Sequence, residues 1–131
     1  MRKTAVLLLL TGVFLLAAGS LPDNSAETLC RRFLQDRGWQ AGALLSEEML
    51  WLPETEDPTW TSYYALQREN GFFMEKYAGI KVQKFSFRID NHPDGENVYA
   101  NLYWYDGAII GGDVLSPALN GFIQGLEISN F

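Results

Sequence analysis

The sequence predicts an α+β protein, with two helices packed on one face of a C-terminal, three- to four-stranded antiparallel sheet. Three observations carry that expectation. Apolar residues recur at helical spacing through 26–34, and aromatic ones do so through 60–67. From Phe85 onward the period falls to two. Asp106-Gly107 then stands between two alternating runs, the strongest short-range hairpin signal in the chain.

Taken in order, Asp23, Asn24 or Ser25 can cap the first helix, and Glu27 suits the positive end of its dipole. Its apolar stripe is Ala26, Leu29, Cys30, Phe33 and Leu34, closed by Arg37 and Gly38. Trp39 to Ser46 shows no clear period, and Met49 to Leu52 reads as a short strand stopped by Pro53. An acidic loop follows. Asp57-Pro58 then opens a helix that runs to about Asn70 and ends at Gly71. Phe85, Phe87 and Ile89 alternate on one strand face, which is expected to meet the helices. Asn91 to Asn97 is a turn-rich connection. Val98 to Tyr105 and Ala108 to Leu115 form the hairpin, and Asn120 to Leu126 has too many glycines for a stable helix.

Residues 1–19 read as an export signal. Arg2 and Lys3 precede an apolar run from Ala5 to Ala18, and small residues follow through Ser20. As a helix the run is roughly 20 Å long, short of the ~30 Å hydrocarbon core, so cleavage is expected. The alternative is an uncleaved N-terminal anchor, the one route by which this chain is expected to touch a membrane. A lipid anchor would need cysteine where Ser20 stands. Residues 25–131 then form a single domain outside the cytoplasm, secreted or tethered. Beyond residue 20, eight bases against sixteen acids give a net charge of −8, which disfavours nucleic acid as a partner. Cys30, the only cysteine, has no disulfide partner within the chain and is expected to be a buried thiol.

A set of short motifs runs along most of this body: Gly38-Trp39, Gly71-Phe72, Lys76-Tyr77-Ala78-Gly79, Asn101-Leu102, Ile110-Gly-Gly-Asp113, Ser116-Pro117 and Gly121-Phe-Ile-Gln-Gly-Leu126. With these the chain resembles the small exported proteins of domain-of-unknown-function family 4830 from Clostridium-like bacteria. The resemblance implies one exported domain in a Gram-positive bacterium. That family has no established activity, so the resemblance implies no catalytic or binding residue.

Few constellations suggest chemistry. His92 is the single histidine, and it precedes Pro93 in a turn, a poor way to hold a base; it reads as a solvated turn residue. Asp90, Asp94 and Gly95 mimic the start of a calcium loop. However, His92 stands at its third position and Asn101 at its twelfth, so a polar connection is expected and no metal site. No cofactor motif is present: Gly111-Gly112 lacks phosphate-loop spacing and fits a bulge or close packing. Asp113 is the acid to watch, because Ile110-Gly-Gly-Asp113 places it among buried-strand residues. The most suggestive set is the row Tyr99, Asn101, Tyr103 and Tyr105, opposite the apolar face of its strand. Lys84, Ser86 and Arg88 share that side if the strands pair in register.

The expected function is a non-enzymatic binding or interaction module with an aromatic sheet face, its candidate ligand residues being Tyr99, Asn101, Tyr103, Tyr105, Arg88 and Asp113. Its expected partner is a cell-envelope ligand, a peptide or another exported protein. No catalytic residue is assigned. The alternatives are a small envelope hydrolase using carboxylates, and a regulatory or inhibitory domain for another exported protein.

Overall fold

The computed structural model describes residues 24–54 and 56–127, so the export segment read at 1–19 lies outside the described residues. Helix α1 (Ala26–Asp36) starts at Ser25, whose hydroxyl accepts a hydrogen bond from the Thr28 amide. It ends at Gly38, which adopts φ 91°. Strand β1 (Ala41–Trp51) follows at once, and helix α2 (Pro58–Glu69) begins behind Asp57, whose carboxylate accepts from the Thr59 amide at 2.8 Å. A 3-10 turn at Met74–Tyr77 leads into β2 (Lys81–Ile89), β3 (Val98–Tyr105), β4 (Ala108–Ser116) and β5 (Phe122–Gln124). The β3–β4 turn has Asp106 at φ 48° and Gly107 at φ 82°, the left-handed pair that a two-residue hairpin demands. Among the described residues no helix is long and apolar enough to cross a membrane.

The α+β architecture matches the expectation, and its sheet is an antiparallel meander in the order β1-β2-β3-β4-β5. It exceeds the expected three to four strands because β5 pairs with the end of β4, and the short strand expected at Met49 to Leu52 proves to be the end of the eleven-residue β1. The helices do not share one face of the sheet, as the sequence suggested. Phe85, Phe87, Ile89, Val98, Ala100 and Leu102 pack with Cys30 and Leu34 of α1. On the opposite face Val82, Tyr103 and Ile110 pack with Tyr64 of α2, Leu52 and Met74. Two apolar faces need two covers: a fully buried aromatic or aliphatic side chain contributes about 1.5–3 kcal/mol, and α2 supplies the second cover.

Cys30 is buried, as expected, and its thiol pKa is pushed up to about 12 by burial first and the Glu27 charge second. His92 differs from the expected solvated residue. Its ring lies 5.7 Å from Trp39 and 4.8 Å from Phe122, nearly parallel to both. Its Nδ1 accepts from the Asp94 amide at 3.0 Å, and Nε2 meets Gln124 Oε1 at 3.2 Å. The Asn91–Asn97 connection thus folds its histidine back onto the body instead of into water.

Candidate functional site

The candidate site is built from one row of the tyrosine face. Antiparallel register sets Ser86 opposite Asn101 and Asn101 opposite Asp113. Side chains at paired positions lie about 5 Å apart on the same face, close enough to bond. Ser86 Oγ donates to Asn101 Oδ1 at 2.5 Å, and Asn101 Nδ2 donates to Asp113 Oδ1 at 3.0 Å. From above, the Tyr63 hydroxyl of α2 donates to Asp113 Oδ2. A polar chain therefore runs across three strands and up into the helix, with both carboxyl oxygens engaged.

Asp113 is 2% exposed. Burial raises its pKa above the usual carboxylate value; the Tyr63 and Asn101 hydrogen bonds and the Lys84 charge oppose that rise only in part. The tyrosines around it respond in the same sense. Burial pushes Tyr63 and Tyr103 well up, and the neighbouring Asp113 charge adds to both.

The tyrosine row does not form a continuous open surface. Tyr103 lies beneath α2, its ring 6.4 Å from Trp60 and 6.1 Å from Tyr63, with Lys84 Nζ 5.8 Å from its centroid. Asn101 and Asp113 are buried in the polar chain. Tyr105 is exposed at the far end of its strand, 5.6 Å from Tyr77. Tyr99 is half-buried, and the exposed Arg88 sits opposite it in the ladder. Beside Tyr99 a groove of about 410 Å³ opens between Leu45, Lys84, Ser86, Asn101, Leu115 and Pro117. The structure thus brings Tyr99 and Asn101 to one groove, sets Asp113 behind Asn101 near the covered Tyr103, and leaves Tyr105 apart at the end of its strand. Tyr63 completes the chain; its position on the aromatic side of a helix was visible in the sequence, but its partner strand was not. Leu45 and Pro117 enter the groove from segments with no periodic signal.

Among the described residues no group of three or more His, Cys, Asp or Glu is placed to hold a metal ion. No family model, curated protein or solved structure matches the chain.

The raised proton affinity of Asp113 fixes the sign of a pH effect. Its folded pKa lies above the unfolded value of about 3.8, so its contribution to stability is complete at low pH. That contribution declines as pH rises from the ordinary carboxylate range through the folded pKa. In Asp113→Asn a flipped Asn101 keeps the chain bonded: its Oδ1 accepts from the new amide and its Nδ2 donates to Ser86. Urea midpoints of the two proteins, measured from pH 3 to pH 7, should therefore diverge steadily in favour of the variant. Parallel profiles would show that Asp113 is not held against ionisation.

Proposed function

We propose that this chain is a non-enzymatic binding module working outside the cytoplasm, and that the groove beside Tyr99 is its ligand site. The observation that carries this reading is the groove floor. Ser86 and Asn101 are fixed by the chain that ends on Asp113 and Tyr63, and Tyr99 offers a half-buried ring beside them. A preorganised polar floor next to an aromatic wall suits a sugar ring or a short peptide, because little side-chain freedom is lost on binding. Lys84 lines the groove and Arg88 stands opposite Tyr99, so the site favours neutral or anionic ligands over cationic ones. The export segment read at residues 1–19, and the resemblance to exported proteins of family 4830, support the placement outside the cytoplasm and a cell-envelope ligand.

Amide chemical shifts during titration with N-acetylglucosamine oligomers and with an uncharged hexapeptide test the groove. Shifts for one of these probes are expected to gather at Ser86, Tyr99, Asn101 and Leu115. Tyr99→Ala should weaken that binding at least tenfold while leaving the melting temperature within about 3 °C, as for a partly exposed site. Binding that survives the substitution unchanged would remove the groove as the site, as would an absence of shifts at millimolar ligand.

An envelope hydrolase with Asp113 as its acid is the second reading, favoured by the raised pKa alone. It requires a substrate to displace Tyr63 or Asn101 from a carboxyl that is already fully engaged.

A further inference from the structure

Strand β1 lies at the edge of the sheet, and among the described residues no strand pairs with its outer side. Among the described residues the edge is covered at its start. There Arg31 Nη1 donates to the carbonyls of Ala41 and Gly42, at 3.3 and 2.7 Å, and two register shifts fall between Ala41 and Ser46. From Ser46 to Trp51 the pairing with β2 is regular. Six residues of straight edge span roughly 20 Å at about 3.3 Å per residue. Alternate N–H and C=O groups along it point away from β2, as in any antiparallel edge.

The side chains along this stretch are sorted. Met49 and Trp51 lie on the α1 side of the sheet, 53% and 64% exposed, beyond the reach of that helix. Glu47 precedes them on the same side, its carboxylate accepting from Gln83 Nε2 at 2.7 Å. Glu48 stands on the opposite side, across from Lys84. Two-fold pairing of two copies over these residues would gather four carboxylates in one short ladder, in a chain whose formal net charge is already −6. Like charges across a ladder are destabilising, so the edge resists its own copy. The same two acids attract a strand that carries lysine or arginine at the facing positions and apolar residues opposite Met49 and Trp51.

We propose that the Ser46–Trp51 edge accepts an extended, basic and apolar segment of a partner protein as a sixth strand. Backbone hydrogen bonds would hold the segment, Glu47 and Glu48 would select its charge, and Met49 and Trp51 would seat its apolar residues. This surface meets the lining of the Tyr99 groove at Ser46, but Glu47 to Trp51 lie outside that lining, and the proposal does not rest on the groove's ligand.

The probe is a capped octapeptide, Thr-Val-Thr-Val-Lys-Lys-Val-Thr, titrated into the ¹⁵N-labelled protein. Two controls accompany it: one with prolines in place of two valines, which keeps the charge but cannot add a strand, and one with glutamates in place of the lysines. Binding with a Kd below about 1 mM is expected, with shifts confined to β1 and β2. Neither control should bind, Glu47→Lys with Glu48→Lys should weaken the probe at least tenfold, and Tyr99→Ala should leave its affinity unchanged. The proposal is overturned if the proline control binds as well as the probe, since attraction is then only a matter of charge. It is equally overturned by shifts that centre on Tyr99 and Leu115, by no shifts at millimolar peptide, or by a protein that is already a dimer through β1.

Discussion

Replacing Gln67 by alanine should lower the free energy of unfolding by about 3–5 kcal/mol, a large share of the ~5–15 kcal/mol typical of a domain. Gln67 is fully buried, and its amide does what a strand would otherwise do. Its Oε1 accepts from the Gly112 N–H and its Nε2 donates to the Gly112 carbonyl, both at 2.8 Å. An antiparallel residue presents its two backbone groups to the same side, so these point away from β3. Strand β5 covers β4 only at Val114, Leu115 and Ser116. Gly112 lies just past that cover, and one side chain from α2 fills the gap. Truncation strands a buried donor and a buried acceptor, each costing about 1–3 kcal/mol, and leaves a cavity besides. Gln67→Glu is an informative companion: it can still accept from the amide, but it sets a carboxylate oxygen against the Gly112 carbonyl. Urea unfolding of both variants provides the measurement. A loss under about 1 kcal/mol for alanine would mean that solvent satisfies Gly112 as well as Gln67 does.

The second large effect is expected at Trp39. This ring is buried at the exit of α1; its Nε1 donates to the Leu126 carbonyl at 2.6 Å, and its face stacks on His92, which stacks in turn on Phe122. One column of rings therefore ties the end of α1, the β2–β3 connection and β5 together. Trp39→Ala should cost about 3–5 kcal/mol, and Trp39→Phe, which keeps an aromatic face but not the donor, about 1–2 kcal/mol. Amide exchange adds a local readout: protection at β5 should fall in both variants, and further in alanine. If both substitutions leave stability within about 1 kcal/mol of the parent, the ring column is not what fastens β5.

How much of this was legible depended on whether a signal was local. Ser25 and Asp57 cap the helices, Gly38 and Gly71 end them with positive φ, and Asp106-Gly107 turns the hairpin, all as residue chemistry alone dictates. Only the end of strand β1, read at Met49 to Leu52, was legible; its first part escaped because the register shifts beside Leu44 break the alternation that marks a strand, and because an edge strand need not bury one full face. The placement of α2 escaped for a different reason. Its Trp60, Tyr63 and Tyr64 and the Tyr103 of β3 each read as a half-buried aromatic surface, and sequence order does not say that the two meet. The polar chain was half visible. Asn101 and Asp113 stood out as polar residues in apolar strands, but their junction depends on register, and Tyr63 on the helix above. His92 misled because a histidine before proline usually faces water, whereas here two aromatic rings compete successfully for it.

Strand order has a further consequence, for the route by which the chain assembles. The ladders joining β2 to β3, β3 to β4 and β4 to β5 each close a short connection, so they can form early at small entropic cost. The β1–β2 ladder alone must close the excursion through α2 and the 3-10 turn. Strand β1, at one of the sheet's two edges, thus closes its ladder last, onto a four-stranded meander that is already formed.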